Sequence, residues 1–248
     1  MTPPLLAAEN ISMAFGRFIA LKDVSVSFER NTLSAIIGPN GAGKSTFFNA
    51  ISGALAPSSG RVIYEGRDIT GSPQHAFARM GIAKSFQITN VFPQLSTHEN
   101  VRVACQMPRA RFDVWTPRAS LRDLGDKADR LLETVGLANA RSRAAADLAH
   151  GQQRGLEIAL ALACDPKLLL LDEPTAGMSP EETVAMMDLI VRLAGERTVV
   201  LVEHKMRLVM GICQRIIVLH HGELLAEGSP SEVRANDEVR RVYLGQGS

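Results

Sequence analysis

A chain of 248 residues, 46% of them hydrophobic, is long enough for one large domain, or a domain carrying a smaller lobe, around a sizeable core. Lys and Arg total 27 against 26 Asp and Glu, so the chain lacks the electrostatic pull toward nucleic acid that a basic domain exerts. Cys105, Cys164 and Cys213 are widely spaced and form no CxxC or Cys/His cluster; they read as reduced small hydrophobes, which favours the cytoplasm. Residues 1–8 lack the basic flank of a signal peptide, and no apolar run approaches the roughly 18 residues of a membrane span.

In chain order, residues 5–29 read as short strands around a turn at Phe15-Gly16-Arg17, with Val24, Val26 and Phe28 alternating against Asp23, Ser25, Ser27 and Glu29. That pattern predicts an antiparallel β layer. The apolar run 33–37 reads as a buried strand and 47–55 as a helix. Between them, Gly38-Pro39-Asn40-Gly41-Ala42-Gly43-Lys44-Ser45-Thr46 fits the phosphate-loop pattern GxxxxGK[ST] in the strand, loop, helix setting it requires. Its glycines let backbone N–H groups and a helix N-terminus close around a polyphosphate. Lys44 then reaches the β- and γ-phosphates, and the Ser45 hydroxyl ligates Mg²⁺. A Gly-rich surface turn is the plainer alternative, and the flanking strand and helix decide against it. Turns at Pro57-Ser58-Ser59-Gly60 and Glu65-Gly66 bracket a strand at 61–64 that extends the β layer. Residues 81–87 return to the core, and 89–95 form a loop containing Pro93.

Between about residues 96 and 163 the pattern turns helical: Leu121, Leu124, Ala128, Leu131, Leu132 and Val135 recur at helical spacing before Gly136. This predicts an inserted helical lobe. Residues 108–117, with several Arg and Trp115, read as an exposed connector or a partner contact. A helix is expected at 154–163, just after Leu148-Ala149-His150-Gly151-Gln152-Gln153. Residues 167–171, 198–202 and 215–219 read as buried strands, each preceded by helical pattern, which argues a mostly parallel sheet flanked by helices. The first of them ends in Asp172-Glu173-Pro174, at the sheet edge where open α/β sheets bind ligands. Asp172 suits a Mg²⁺ shell, and Glu173 suits a base that polarises the water attacking a γ-phosphate.

The order of phosphate loop, Gln87, Leu148-Ala149-His150-Gly151-Gln152-Gln153, Asp172-Glu173 and His204 resembles an ABC-type ATPase, over nearly the whole chain. The resemblance implies an α/β P-loop NTPase core with a mostly parallel sheet and an N-terminal antiparallel β layer, built from residues 1–87 and 164–248, with a helical subdomain at 88–163. In that family a signature of the form LSGGQ completes the ATP site of the other subunit, through N–H groups and a Ser hydroxyl at a helix start. Gly151 and Gln152 match it; Ala149 removes the hydroxyl, and His150 stands where Gly is usual, as a replacement hydrogen-bonding group or as a solvated end residue. Gln87 corresponds to the glutamine that contacts Mg²⁺ or the attacking water, and His204 to the histidine that bonds the γ-phosphate. Phe15 resembles the aromatic on which adenine stacks, with Phe18 its competitor. Ala176-Gly177-Met178-Ser179 occupies the D-loop, while Ser179-Pro180-Glu181-Glu182 also reads as a helix start, with Ser as N-cap, Pro at the first position and Glu at the third.

Ile82-Ala83-Lys84-Ser85-Phe86-Gln87, Gly151-Gln152-Gln153-Arg154, Val202-Glu203-His204-Lys205-Met206 and Val242-Tyr243-Leu244-Gly245 together resemble the ATP-binding subunits of branched-chain amino acid importers, close to the LivG type. This implies a Mg-dependent ATPase on the cytoplasmic face of the inner membrane, with ATP and Mg²⁺ as cofactors. Its implied partners are a second ABC ATPase, identical or related, two transmembrane permeases docking beside Gln87, and indirectly a solute-binding protein; nucleic acid is not among them. Urea, amide and aromatic-acid importers and lipid or lipopolysaccharide exporters use similar ATPases. Soluble ABC proteins usually carry coiled-coil inserts or duplicated halves, which this chain lacks.

Overall fold

Strands β1 (Leu6–Phe15) and β2 (Phe18–Phe28) form an antiparallel hairpin around Gly16, whose φ of 61° suits the tight turn. Ile11 and Met13 of β1 and Leu21, Val24, Val26 and Phe28 of β2 are buried, as the alternation predicts. The computed structural model describes residues 3–85, 91–106 and 118–244, without the side chains of 118–122 and 244. Strand β3 (Leu33–Ile37) is buried at every position and leads into α1 (Lys44–Ile51). That helix stops four residues before the expected 55 because the chain turns at Gly53, φ 70°, where an added Cβ would lie 2.3 Å from the Phe77 ring.

Strands β4 (Ser59–Tyr64) and β5 (Arg67–Asp68) complete an antiparallel sheet of order β2-β1-β4-β5. Strand β4 starts two residues earlier than the turn signal suggests, because Ser59 pairs with Ser12. Next come α2 (Gln74–Met80), which the periodicity did not reveal, and β6 (Ile82–Lys84). The remaining elements are α3 (Thr97–Ala104), α4 (Arg118–Thr134), α5 (His150–Leu162), β7 (Leu168–Asp172), α6 (Pro180–Ala194), β8 (Thr198–Val202), α7 (Met206–Ile212), β9 (Arg215–His220), β10 (Glu223–Gly228), α8 (Pro230–Ala235) and α9 (Asp237–Leu244). Residues 107–117, including Trp115, lie outside the described residues.

The second sheet has the order β10-β9-β3-β8-β7-β6 and is parallel except for β10, which pairs antiparallel with β9. Its central strands read as continuous apolar runs because both faces are covered. Leu168 and Leu170 pack toward the first sheet with Phe28, Phe47 and Phe48, while Leu169 and Leu171 pack with Ile158, Met187 and Ile190 on the helical side. Helices α3, α4 and α5 share a third cluster around Val101, Leu124, Ala128, Leu132, Leu156 and Ala159. No helix among the described residues is long and apolar enough to cross a membrane.

Two stability predictions follow from this packing. Gly155 lies inside α5 with no steric need for glycine: an added Cβ would meet Val135 O at 3.6 Å and Leu137 Cδ1 at 3.7 Å, ordinary contacts. Gly155→Ala is therefore expected to raise unfolding stability by about 0.5–1 kcal/mol, read from the urea midpoint at unchanged m-value. Tyr64 is 3% exposed, and its hydroxyl has no partner among the described residues. Burial pushes its pKa up from 10.0 to about 12, with Glu65 adding to the shift. Burial pushes Tyr243, the other tyrosine, up as well. An unfolded tyrosine ionises first, so the stabilisation is complete below pH 10 and is lost as pH rises through 12. Tyr64 contributes up to about 3 kcal/mol to this loss. Phenolate absorbance should therefore appear only together with alkaline unfolding, and Tyr64→Phe should push that unfolding to higher pH.

Candidate active site

The loop between β3 and α1 is held by its glycines. A Cβ on Gly38 would lie 2.3 Å from Leu219 O, and one on Gly43, φ 97°, would lie 2.8 Å from Leu21 Cδ2 and 2.9 Å from Ala20 O. Gly222, in the tight β9–β10 turn, donates to Ala42 O at 3.1 Å and accepts from Lys22 N at 2.8 Å. The loop is thus pinned between β2 and the end of β9. Its outer residues Asn40, Gly41 and Ser45 are exposed, while Lys44 is buried. The Lys44 ammonium donates to Gly38 O at 2.8 Å and Pro39 O at 2.9 Å. Burial lowers its pKa, and the carboxylates of Glu173 and then Asp172 draw it back up. Those two carboxylates, predicted to act with the loop, therefore lie within its electrostatic reach.

Strand β7 delivers both acids to the sheet edge. Asp172 pairs in register with Val202 of β8, and Glu173 N donates to Val202 O at 3.0 Å. Glu173 then turns with a φ of 46°, unusual for a residue with a Cβ and a form of strain that concentrates at functional sites. Its carboxylate is 37% exposed and lies 3.9 Å from His204 Nδ1. Asp172 is more deeply set. Burial raises its pKa, opposed by Lys84; Glu173 raises it further, and Arg154 and Lys44 lower it. The phosphate loop, Asp172, Glu173 and His204 meet at one edge of the parallel sheet, while Gln87 lies outside the described residues.

Three supporting side chains escaped the sequence reading. Glu203 is fully buried and accepts from Thr175 Oγ1 at 2.6 Å, Thr175 N at 3.3 Å and His204 N at 3.2 Å. Lys205 Nζ adds a bond to Thr175 O at 3.1 Å, so the loops after β7 and β8 are tied together. In the sequence both stood only as members of the run Val202-Glu203-His204-Lys205-Met206, with no role of their own. Lys84, at the end of β6, donates to Asn49 Oδ1 of α1 at 2.6 Å and lies 5.0 Å from the Phe48 ring centroid. It joins the strand that leads toward Gln87 to the helix of the phosphate loop.

Helix α5 begins at His150, not at 154 as expected. Ala149 is its N-cap without a side-chain acceptor, and the Gln152 carboxamide reaches back to accept from Ala149 N at 3.1 Å. His150 Nε2 lies 3.0 Å from Ala176 O. Gly151 sits against Glu182, where an added Cβ would be 2.5 Å from Oε1. The predicted cap at Ser179 is present: its Oγ accepts from Glu182 N at 3.2 Å, and Glu182 Oε2 accepts from Ser179 N at 3.0 Å, with Pro180 at the first helical position. Phe15 and Phe18 pair across the hairpin, 50% and 65% exposed. Ala20, two residues past Phe18, has its carbonyl oxygen 2.9 Å from where a Cβ on Gly43 would lie, so β2 passes the phosphate loop at that residue.

The sequence profile of the ABC transporter family matches residues 21–176, and that of the branched-chain amino acid ATP-binding cassette transporter matches residues 223–248. The high-affinity branched-chain amino acid transport ATP-binding protein LivG of Salmonella typhimurium is 40% identical over 254 residues, covering 99% of this chain and 100% of its own. BraF of Pseudomonas aeruginosa, described in the same words, is 38% identical with the same coverage. The lipopolysaccharide export system ATP-binding protein LptB of Acidithiobacillus ferridurans is 36% identical, covering 97% of each chain. Among solved structures, an ATP-binding cassette of an ABC transporter in its ADP conformation superimposes with a TM-score of 0.86 at 31% identity, covering 98% of this chain and 100% of that one. Matched by the ABC transporter profile over more than half its length and by the LivG relatives from end to end, this chain belongs to the ATP-binding subunits of ABC transporters, and within them resembles the LivG type.

Proposed function

We propose that this chain hydrolyses ATP to power an importer of branched-chain amino acids or similar small solutes. The observation that carries the cargo class is the match of residues 223–248 to the branched-chain amino acid cassette profile, alongside the full-length similarity to LivG. The bound magnesium–nucleotide complex supplies the electrophilic phosphorus, with the metal neutralising charge on the transferred oxygens. Backbone N–H groups of Gly38 and of residues 40–46, at the start of α1, hold the phosphates with Pro39 setting the turn between them, Lys44 holds the β- and γ-oxygens, and Phe15 stacks on the base. The donor set fits Mg²⁺: no group of three His, Cys, Asp or Glu among the described residues forms a protein cage, and Mg²⁺ needs only one or two carboxylates beside phosphate oxygens. Asp172, Ser45 and Gln87 are its proposed protein ligands, and a cation there offsets the burial that raises the Asp172 pKa.

Glu173 takes the proton of the attacking water, and His204, anchored through its backbone on Glu203, bonds the γ-phosphate. Gly151 and Gln152, with His150 beside them, face the nucleotide held by a second ATPase subunit, and closing the pair drives two transmembrane permeases that dock beside Gln87. The working location is the cytoplasmic face of the inner membrane, with a solute-binding protein delivering cargo on the other side. Affinity purification from gently solubilised membranes, followed by mass spectrometry, tests this. Recovery of two polytopic permeases and an ATPase pair is expected, and leucine uptake should fall when the gene is deleted. Recovery of only soluble partners would overturn the transport role.

A further inference from the structure

We infer that His150 is a positioning residue that ties the start of α5 to the Ala176–Gly177 loop, so that the helix start proposed to face the second subunit's nucleotide moves as one with the loop that follows Glu173. The inference rests on the proposed pairing of two ATPase subunits. Its observation is the 3.0 Å approach of His150 Nε2 to Ala176 O. A carbonyl oxygen only accepts, so Nε2 carries the proton and donates. The contact is close on both sides: an added Cβ on Gly177, φ 74°, would lie 3.0 Å from the same Nε2. One residue later, Gly151 leaves room for the Glu182 carboxylate, which also closes the capping box of α6. Two consecutive residues of α5 therefore seat on the loop and helix start that follow Glu173.

The reason for the tie lies in the preceding residue. Ala149 has no hydroxyl to accept an N–H of the first turn, and Gln152 satisfies only the backbone of Ala149 itself. His150 fixes this under-capped helix start from outside, through a carbonyl of another segment. Ala176 N in turn donates to Glu173 O at 3.1 Å, so a shift of α5 reaches the backbone at the strained Glu173. The imidazole nitrogen bonded to Ala176 O is then not free to serve the phosphate, and His150 acts through position.

The test uses the full chain with His150→Ala, His150→Gln, Gly177→Ala and the His150→Ala/Gly177→Ala double variant. His150→Ala is expected to lower kcat about 3- to 10-fold, the scale of one lost hydrogen bond, with KM changed by less than about twofold. In His150→Gln an amide N–H replaces Nε2–H, and kcat should return to within about twofold of wild type. In urea unfolding, Gly177→Ala should cost less in the His150→Ala background than alone, because the crowded imidazole is gone. An additive cycle, or a glutamine variant as slow as the alanine one, would overturn the tie. A wild-type chain that turns over no ATP but shows the coupled unfolding cycle would overturn the transport reading and leave the tie standing.

Discussion

Glu173→Gln is expected to bind ATP with nearly wild-type affinity while kcat falls by about 10²- to 10⁴-fold, the usual contribution of a positioned general base. The amide keeps the size of the carboxyl but cannot take a proton from water. The substitution is structurally mild: the side chain is partly exposed, and its contact with His204 Nδ1 is a loose 3.9 Å, so little folding energy rests on the carboxylate. The backbone turn at φ 46° is set by the chain around it, including the bond from Glu173 N to Val202 O, and survives the change. Equilibrium nucleotide binding and single-turnover hydrolysis on the same sample separate the two effects. Near-normal hydrolysis would place the base elsewhere, and lost binding would make Glu173 a structural residue.

Lys44→Ala is expected to weaken nucleotide affinity by about 10²-fold or more, because it removes two charge-assisted bonds of roughly 1.5–3 kcal/mol each. The ammonium donates to Gly38 O and Pro39 O, the two carbonyls that start the phosphate loop, and lies in the field of Glu173 and Asp172. Its loss removes the phosphate contact and the counter-charge to both acids, so Asp172, already raised by burial, should be raised further. Calorimetric titration with ATP measures the affinity. Lys44→Arg should recover only part of it, since the bulkier guanidinium has little room at a buried position whose carbonyl partners sit 2.8 and 2.9 Å away. Unchanged affinity in the alanine variant would remove the loop from the binding site.

The parts of the site that were legible in the chain are those whose chemistry is local. The phosphate loop is a run of consecutive residues in which Gly38 is demanded by Leu219 and Gly43 by Leu21 and Ala20. The Ser179 cap involves residues three apart, and its reciprocal bonds form as the spacing predicts. The start of α5 was misjudged because the usual signal, a cap with a hydroxyl, is missing at Ala149. Strand β10 and helix α2 were missed because their residues are short runs of mixed burial without a clean period.

By itself the sequence determined the strands and helices that carry a clean apolar period, and with them the apolar faces, since periodicity and turn chemistry act over a few residues. Only the tertiary structure decided the strand order β10-β9-β3-β8-β7-β6, which sets β7 and β8 side by side and so joins Glu203 to Thr175 and His204 to Glu173. It also decided the bonds from Lys84 to Asn49 and from His150 to Ala176, between residues 35 and 26 positions apart. Contacts of that separation have no local signature, because nothing within one turn or one strand favours either partner until the sheet brings them together.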